Sequence, residues 1–352
     1  MSPDIERNYL ADIAACRETL RGGSRTFFAA SHVLPRRVSE PATALYAFCR
    51  LADDAIDVEG GNAAALARLH ERLDRAYAGR PLPMATDRAF AEVVARFGIP
   101  RRLPEALLEG LAWDAEGRRY EDFSALKAYA VRVAGTVGGM MAILMGARTP
   151  QLVARACDLG VAMQLTNIAR DVGDDARQGR LYLPLQWLRE AGMDPEAWLA
   201  NPVFSDALGT VVRRVLDEAD ILYTRSGLGI AGLAVACRPG IHAARLLYAE
   251  IGREIERSGY DSVSRRAVVS RHRKALLLVR SVAAVVTARH AGTIASLAEA
   301  QYLVDAVVDT PAPPSRSRRS SGLVSGLEGR AIWLIDLFEQ LERRGHLERG
   351  TI

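Results

Sequence analysis

The sequence predicts an all-α fold, and three observations carry that prediction. Apolar residues recur at intervals of three and four, as in Leu66, Leu69, Leu73 and Tyr77 and again in Leu208, Val211, Val212 and Val215, which is the period of a helix with one buried face. Clear alternating runs, the mark of a half-buried strand, are missing. Proline and glycine punctuate the periodic segments at Leu34-Pro35, Gly60-Gly61, Pro81-Leu82-Pro83, Gly98-Ile99-Pro100, Thr149-Pro150, Leu183-Pro184, Asp194-Pro195, Asn201-Pro202 and Arg238-Pro239-Gly240. Each predicts a helix boundary, and about a dozen helices follow from the spacing.

With 352 residues, 49% of them hydrophobic, the chain can bury a large core as one big domain or two intimate ones. Residues 1–308 read as that helical body. The stretch Asp309 to Gly322, rich in Pro, Ser and Arg, opens a solvated linker over 309–325. Beyond it, 326–345 predict an amphipathic helix with Leu327, Ile332, Leu334, Ile335, Phe338 and Leu341 on one stripe. That stripe must be buried, either on the body or on a membrane surface; its other face mixes acids with bases, where membrane-surface helices are dominated by Lys and Arg.

The 46 basic residues nearly balance 42 acidic ones, so no nucleic-acid partner is implied. The basic run Arg265-Arg266 with Arg271 to Lys274 lacks interleaved aromatics and reads as a phosphate-facing or solvated face. Cys16, Cys49, Cys157 and Cys237 lie far apart and read as buried small hydrophobes in a reducing cytosol. The start, MSPDIERNYLADIAAC, lacks the pattern of a signal peptide. The apolar stretches Val133 to Ala147 and Ser226 to Cys237 fall short of the ~20 residues a spanning helix needs. A cytoplasmic protein follows, one that touches a membrane at most peripherally.

Chemistry concentrates in two blocks. In YAFCRLADDAID, Tyr46, Arg50, Asp53 or Asp54, and Asp57 share one helix face. Asp53 and Asp57 repel at i,i+4, so alone this face reads equally as a solvated acidic patch closed by Arg50 or as a cation site. In QLTNIARDVGDD, Gln164, Asn167, Asp171 and Asp175 again fall on one face. Asn and Asp oxygens suit Mg²⁺, which binds through one or two carboxylates plus substrate phosphate oxygens. Two such helices facing each other make a diphosphate clamp. Arg50 and Arg170 either pair with phosphate or hold the aspartates.

These blocks resemble the squalene and phytoene synthases. The similarity runs from about Ser24 to Lys274 and includes Ser24-Arg-Thr-Phe27, YAFCRLADDAID, Val133-Ala-Gly-Thr-Val-Gly138 and QLTNIARDVGDDARQGRLYLP. One departure is Thr26, where many relatives carry a second Ser. The resemblance implies the isoprenoid synthase fold, a single large helical domain around a central active-site cavity. It implies that Asp53, Asp57, Asp171 and Asp175, with Asn167, bind Mg²⁺ or Mn²⁺. It implies that Tyr46, Arg50, Tyr129, Gln164, Asn167 and Tyr248 line the reacting centre, and that Ser24, Phe27, Arg50, Arg170 and Arg266 bind substrate, Arg265 competing with Arg266.

The chemistry follows from charge. A diphosphate leaves once Mg²⁺ neutralises it, and the allylic cation must then be kept dry until a second prenyl double bond attacks. Val133 to Ala147, with Gly135, Gly138, Gly139, Met140 and Met141, is expected to line that cavity or to pack helices closely. Gly227-Leu-Gly229-Ile-Ala-Gly232 fits a dinucleotide fingerprint with Glu250 beyond it, but follows a helical segment and reads as a helix junction. No NADPH is expected, and Gly179-Arg-Leu-Tyr-Leu-Pro184 resembles the form found in phytoene synthases. The implied reaction joins two geranylgeranyl diphosphates head to head through prephytoene diphosphate to phytoene, in carotenoid biosynthesis, with other carotenoid enzymes as partners. The alternatives are a farnesyl diphosphate-using relative making presqualene diphosphate, squalene or dehydrosqualene, and a non-catalytic prenyl diphosphate-binding subunit.

Overall fold

Proline and glycine break the chain where the sequence predicts. The computed structural model describes residues 3–23, 34–58, 63–287 and 294–313. Helix α1 (Pro3–Gly23) is followed by α2 (Arg36–Val58), which starts directly after Pro35, and by α3 (Ala63–Tyr77). The Pro81–Pro83 segment precedes α4 (Ala85–Phe97), and Gly98-Ile99-Pro100 precedes α5 (Arg102–Ala115). Next, α6 (Phe123–Ala130), a π turn (Val131–Gly135) and α7 (Thr136–Leu144) continue without a break in right-handed backbone at their junctions. Thr149 caps α8 (Pro150–Arg170), its hydroxyl accepting from the Leu152 N–H.

The short helices α9 (Val172–Arg177), α10 (Leu185–Glu190) and α11 (Pro195–Ala200) come next. Then follow α12 (Asp206–Ile230), α13 (Arg238–Arg257), α14 (Arg271–Thr287) and α15 (Gln301–Asp309). Fifteen α-helices stand among the described residues, against about a dozen expected. The three short helices α9, α10 and α11 offer too few residues to display a period.

Helix α8 is the centre. It is buried on several sides, with Val153, Ala154, Cys157, Asp158, Val161, Ala162, Leu165 and Thr166 all inside, as befits a helix at the middle of a bundle. It packs against α7, the π turn, α12, α13 and α15. Its approach to α7 and the π turn is close because Gly138 and Gly160 lack side chains: a Cβ at either would collide with the backbone carbonyl of Ala156 or Ala134.

The second aspartate block departs from expectation in one respect. The sequence places Asn167, Asp171 and Asp175 on a single helix, whereas α8 ends at Arg170 and α9 begins at Val172. The Gly173 N–H donates to the Ser262 carbonyl at 3.0 Å, and its Cα packs where a Cβ would strike the Val263 backbone. The ladder otherwise runs on, Asp171 N–H donating to Asn167 O and Asp175 N–H to Asp171 O. The break is therefore a kink that preserves the i,i+4 stacking.

The glycine run 227–232 sits at the end of α12 and in the turn after it. Glu250 is buried and accepts from Arg273 and Arg257. Cys16, Cys157 and Cys237 are buried free thiols and Cys49 is half-buried. The start of the expected linker lies against the body, where Arg148 donates to Thr310 O at 3.2 Å and Gly98 faces Pro313. The rest of the linker and the helix expected over 326–345 lie outside the described residues, as do Ser24, Phe27 and the side chain of Asp57.

Candidate active site

A cavity of about 250 Å³ runs between α7, α8, α12 and α13. One end is polar, with Gln164 and Asn167 of α8 and Tyr248 of α13; the other is apolar, with Met145, Leu152, Ile230 and Leu233. Along α8 the lining residues run from Leu152 to Asn167, a span of roughly 22 Å at 1.5 Å per residue. Val133, Gly138 and Met141 line the wall as expected. Met140, Gly135 and Gly139 turn instead into the packing, Met140 fully buried, Gly135 against Val131 and Val161, and Gly139 against Leu103. Both readings of that segment thus hold, divided residue by residue.

Charged groups crowd the polar end. On α2, Arg50 pairs with Asp53 at 3.2 Å and with Asp54 at 2.5 Å. At the α8–α9 junction Asp171 accepts from Arg170 Nε at 2.8 Å and from Arg266 Nε at 2.7 Å. Burial would raise the Asp171 carboxyl, but hydrogen bonds from Arg170 and Arg266 hold it below the ordinary carboxylate range. Of the two competing arginines it is Arg266 that reaches the aspartates, while Arg265 donates to the Ser258 carbonyl. Tyr46, raised chiefly by burial, lies within electrostatic range of Asp53 and Tyr248, and Tyr248 lies within range of Arg170 and Asp171. The two blocks, far apart in sequence, therefore meet at the mouth of one cavity.

Asp175 is the most perturbed carboxyl of this group, pushed up to about 7 by burial and by the neighbouring Asp171 charge, with Asp174 and Asp114 adding to it. Among the described residues no three His, Cys, Asp or Glu side chains converge as a ready-made metal site. The donor set nonetheless suits a hard cation. Several carboxylates raise one another's proton affinity, and a divalent ion would relieve that repulsion.

Sequence reasoning missed Asp114. It ends α5 and accepts from the Tyr129 hydroxyl at 2.8 Å and the Tyr182 hydroxyl at 2.7 Å. Burial pushes its carboxyl up to about 6 against those two hydrogen bonds. Tyr129 clusters with Tyr120 and Tyr182, with centroids 5.1 and 5.3 Å away, and those two rings also stack on each other at 6.2 Å. Tyr129 thus stands behind the mouth, coupled to Asp53 and Asp175 through Asp114, and is absent from the cavity lining. Asp114 follows Trp113 and has no carboxylate three or four residues away on either side to betray it. Asp114→Asn should replace one charge-assisted acceptor by a donor facing a phenol, lowering stability by about 1.5–3 kcal/mol. Chemical denaturation monitored by tyrosine fluorescence would measure the change.

An all-helical body with two aspartate-bearing segments at the mouth of a long apolar cavity is the isoprenoid synthase fold. A family model for squalene/phytoene synthase matches residues 20–273. The phytoene synthase of Cereibacter sphaeroides is 52% identical over 332 residues, covering 90% of this chain and 93% of that protein. That of Rhodobacter capsulatus is 49% identical over 329 residues, covering 91% and 97%. Among solved structures, a ligand-bound dehydrosqualene synthase superposes with a TM-score of 0.73 at 30% identity, over 80% of this chain and 99% of that one. The chain belongs to the squalene/phytoene synthase family.

Proposed function

We propose that this chain is a prenyltransferase that joins two geranylgeranyl diphosphates head to head and converts the product to phytoene. The observation that carries the reading is one cavity with a carboxylate and arginine mouth and an apolar interior. The identity to two phytoene synthases across nine-tenths of the chain supports the twenty-carbon substrate. In the first step a diphosphate and a proton leave as the cyclopropane of prephytoene diphosphate forms. In the second, the remaining diphosphate leaves, the skeleton rearranges and another proton is lost, so no reductant is consumed.

Asp53, Asp57, Asn167, Asp171 and Asp175 would hold Mg²⁺, or Mn²⁺ in its place. When bound, the metal neutralises the diphosphate so that its carbon–oxygen bond can ionise. Arg50, Arg170 and Arg266 supply fixed positive charge around the same oxygens, which favours departure of the leaving group over its return. Gln164 and Tyr248 border the point where polar mouth meets apolar wall, and Tyr46 stands within electrostatic range of Tyr248. Beyond them Met141, Leu159 and Met163 present only apolar and polarisable surface, which excludes water from an allylic cation. Ser24 and Phe27 are carried into this reading by the family resemblance alone. Incubating the purified chain with geranylgeranyl diphosphate and Mg²⁺ should yield a forty-carbon hydrocarbon by mass spectrometry. Product from farnesyl diphosphate only would assign the chain to the fifteen-carbon branch instead, and diphosphate binding without turnover would make it a binding subunit.

The same reading makes the chain cytoplasmic and peripheral on the inner face of the cell membrane, where other carotenoid enzymes would take up a lipophilic product. Among the described residues no helix is long and apolar enough to cross a membrane. Support for contact comes from α14: its 17 residues include Arg271, His272, Arg273, Lys274 and Arg280 but no acid. Leu276, Val279 and Val282 on it are exposed. A cationic helix with outward apolar side chains suits an anionic lipid surface. Val279→Glu with Val282→Glu should reduce co-sedimentation with phosphatidylglycerol vesicles by about tenfold, with the melting temperature unchanged.

A further inference from the structure

Buried charge stands near the apolar end of this cavity. Arg155 of α8 lines the cavity yet is 6% exposed, and Asp158, beside it on the helix, is 0% exposed. The Arg155 guanidinium pairs with Asp158 at 2.8 Å and donates to the carbonyls of Ile294 at 3.2 Å and Ala295 at 3.0 Å. Arg225 of α12 pairs with the same carboxylate at 3.0 Å and donates to the Ala295 carbonyl at 2.8 Å. Two cations thus share one buried carboxylate, and the backbone carbonyls of Ile294 and Ala295 accept further hydrogen bonds from them.

With its head group held in this way, Arg155 turns its aliphatic stem toward the cavity side. That stem is confined as well: a Cβ at Gly229 would stand 2.5 Å from Arg155 Cβ and 2.9 Å from its Cγ. Gly232 makes room for Leu152 and Gly227 for Arg245 in the same manner. The glycine run that mimics a dinucleotide fingerprint is therefore the surface on α12 against which the deep end of the cavity is assembled.

Arg155 lies roughly 18 Å along α8 from Asn167, 12 residues at 1.5 Å each, so the charge cluster is remote from the mouth where a cation would form. Apolar residues at the deep end, such as Leu152 and Met145, can change rotamer to admit a longer tail. Arg155 cannot yield without breaking its buried ion pair with Asp158 and its hydrogen bonds to two carbonyls, which is strongly destabilising. We infer that Arg155, pinned by Asp158 and by the Ile294–Ala295 backbone, is a specificity-determining constriction that limits how far a prenyl tail passes toward the Leu152 and Met145 end of the cavity. The inference rests on the reading of the cavity as a prenyl diphosphate site.

The test compares kcat/KM for fifteen-, twenty- and twenty-five-carbon prenyl diphosphates with Mg²⁺ in the wild type, Arg155→Met, Ala156→Leu and Ala244→Leu. Arg155→Met keeps the stem but releases the head, and should raise the ratio of twenty-five- to twenty-carbon use by about tenfold or more. Ala156→Leu adds volume beside this constriction and should lower the ratio of twenty- to fifteen-carbon use by about tenfold. Ala244→Leu, nearer Tyr248, should lower both alike. Ratios within about twofold of wild type in Arg155→Met and Ala156→Leu, with unchanged circular dichroism, would overturn the inference. Should Arg155→Met fail to fold, the Ala156→Leu ratio decides alone. A wild type that turns over none of the three would overturn the prenyl synthase reading itself, and this inference with it.

Discussion

Asp171→Asn should lower turnover by about three orders of magnitude or more, because it removes a carboxylate at the point where metal and diphosphate would meet. Helical circular dichroism should not change. Stability should fall slightly, however, since Asp171 is largely buried and takes hydrogen bonds from both Arg170 and Arg266; a loss of about 1 kcal/mol is expected for pairs of this partial exposure. The sign follows from the depressed Asp171 pKa. Its stabilising contribution is present above the unfolded carboxyl value and disappears as pH falls through the folded one. Asp53→Asn is the contrast. Asp53 and its partner Arg50 are each about half exposed, so the same loss of turnover should come without a measurable change in stability. Steady-state assays paired with urea denaturation of both variants would check this, and near-normal activity in either would favour a binding protein.

Gly160→Val should have the largest effect on the fold. A side chain at this position meets the Ala134 carbonyl and the Gly135 Cα, both backbone atoms that cannot rotate away. The π turn and α8 must separate, opening the packing between them, for an expected cost of about 3 kcal/mol or more. A fall in melting temperature of about 4 °C or more would follow for a chain of this size. Differential scanning calorimetry measures it. A melting temperature unchanged from wild type would mean that the π turn and α8 do not approach as closely as described.

Much of this architecture is legible in the amino-acid sequence. Pro35, Pro150, Pro184, Pro195 and Pro239 each stand at or next to a helix start, because proline's fixed φ suits the first turn and its missing N–H costs nothing there. The two aspartate blocks were legible because i,i+4 repetition of carboxylates is costly without a purpose. What the sequence concealed depends on distant partners. Asp114 has no spaced companion and acquires its role only when Tyr129 and Tyr182 converge on it. The kink at Asp171 depends on the Ser262 carbonyl, 89 residues beyond Gly173. Arg155 and Asp158 look in sequence like any i,i+3 surface pair, and only the fold of α12 and the 294–295 segment around them makes them buried.

The most direct test of the account is a crystal structure with Mg²⁺ and an unreactive thio analogue of geranylgeranyl diphosphate. The diphosphate should lie among Asp53, Asp171 and Asp175 within reach of Arg50 and Arg266, with the tail running past Met163 and Leu159 toward Arg155. A diphosphate bound away from the two aspartate segments, or a tail outside the groove between α7, α8, α12 and α13, would contradict it.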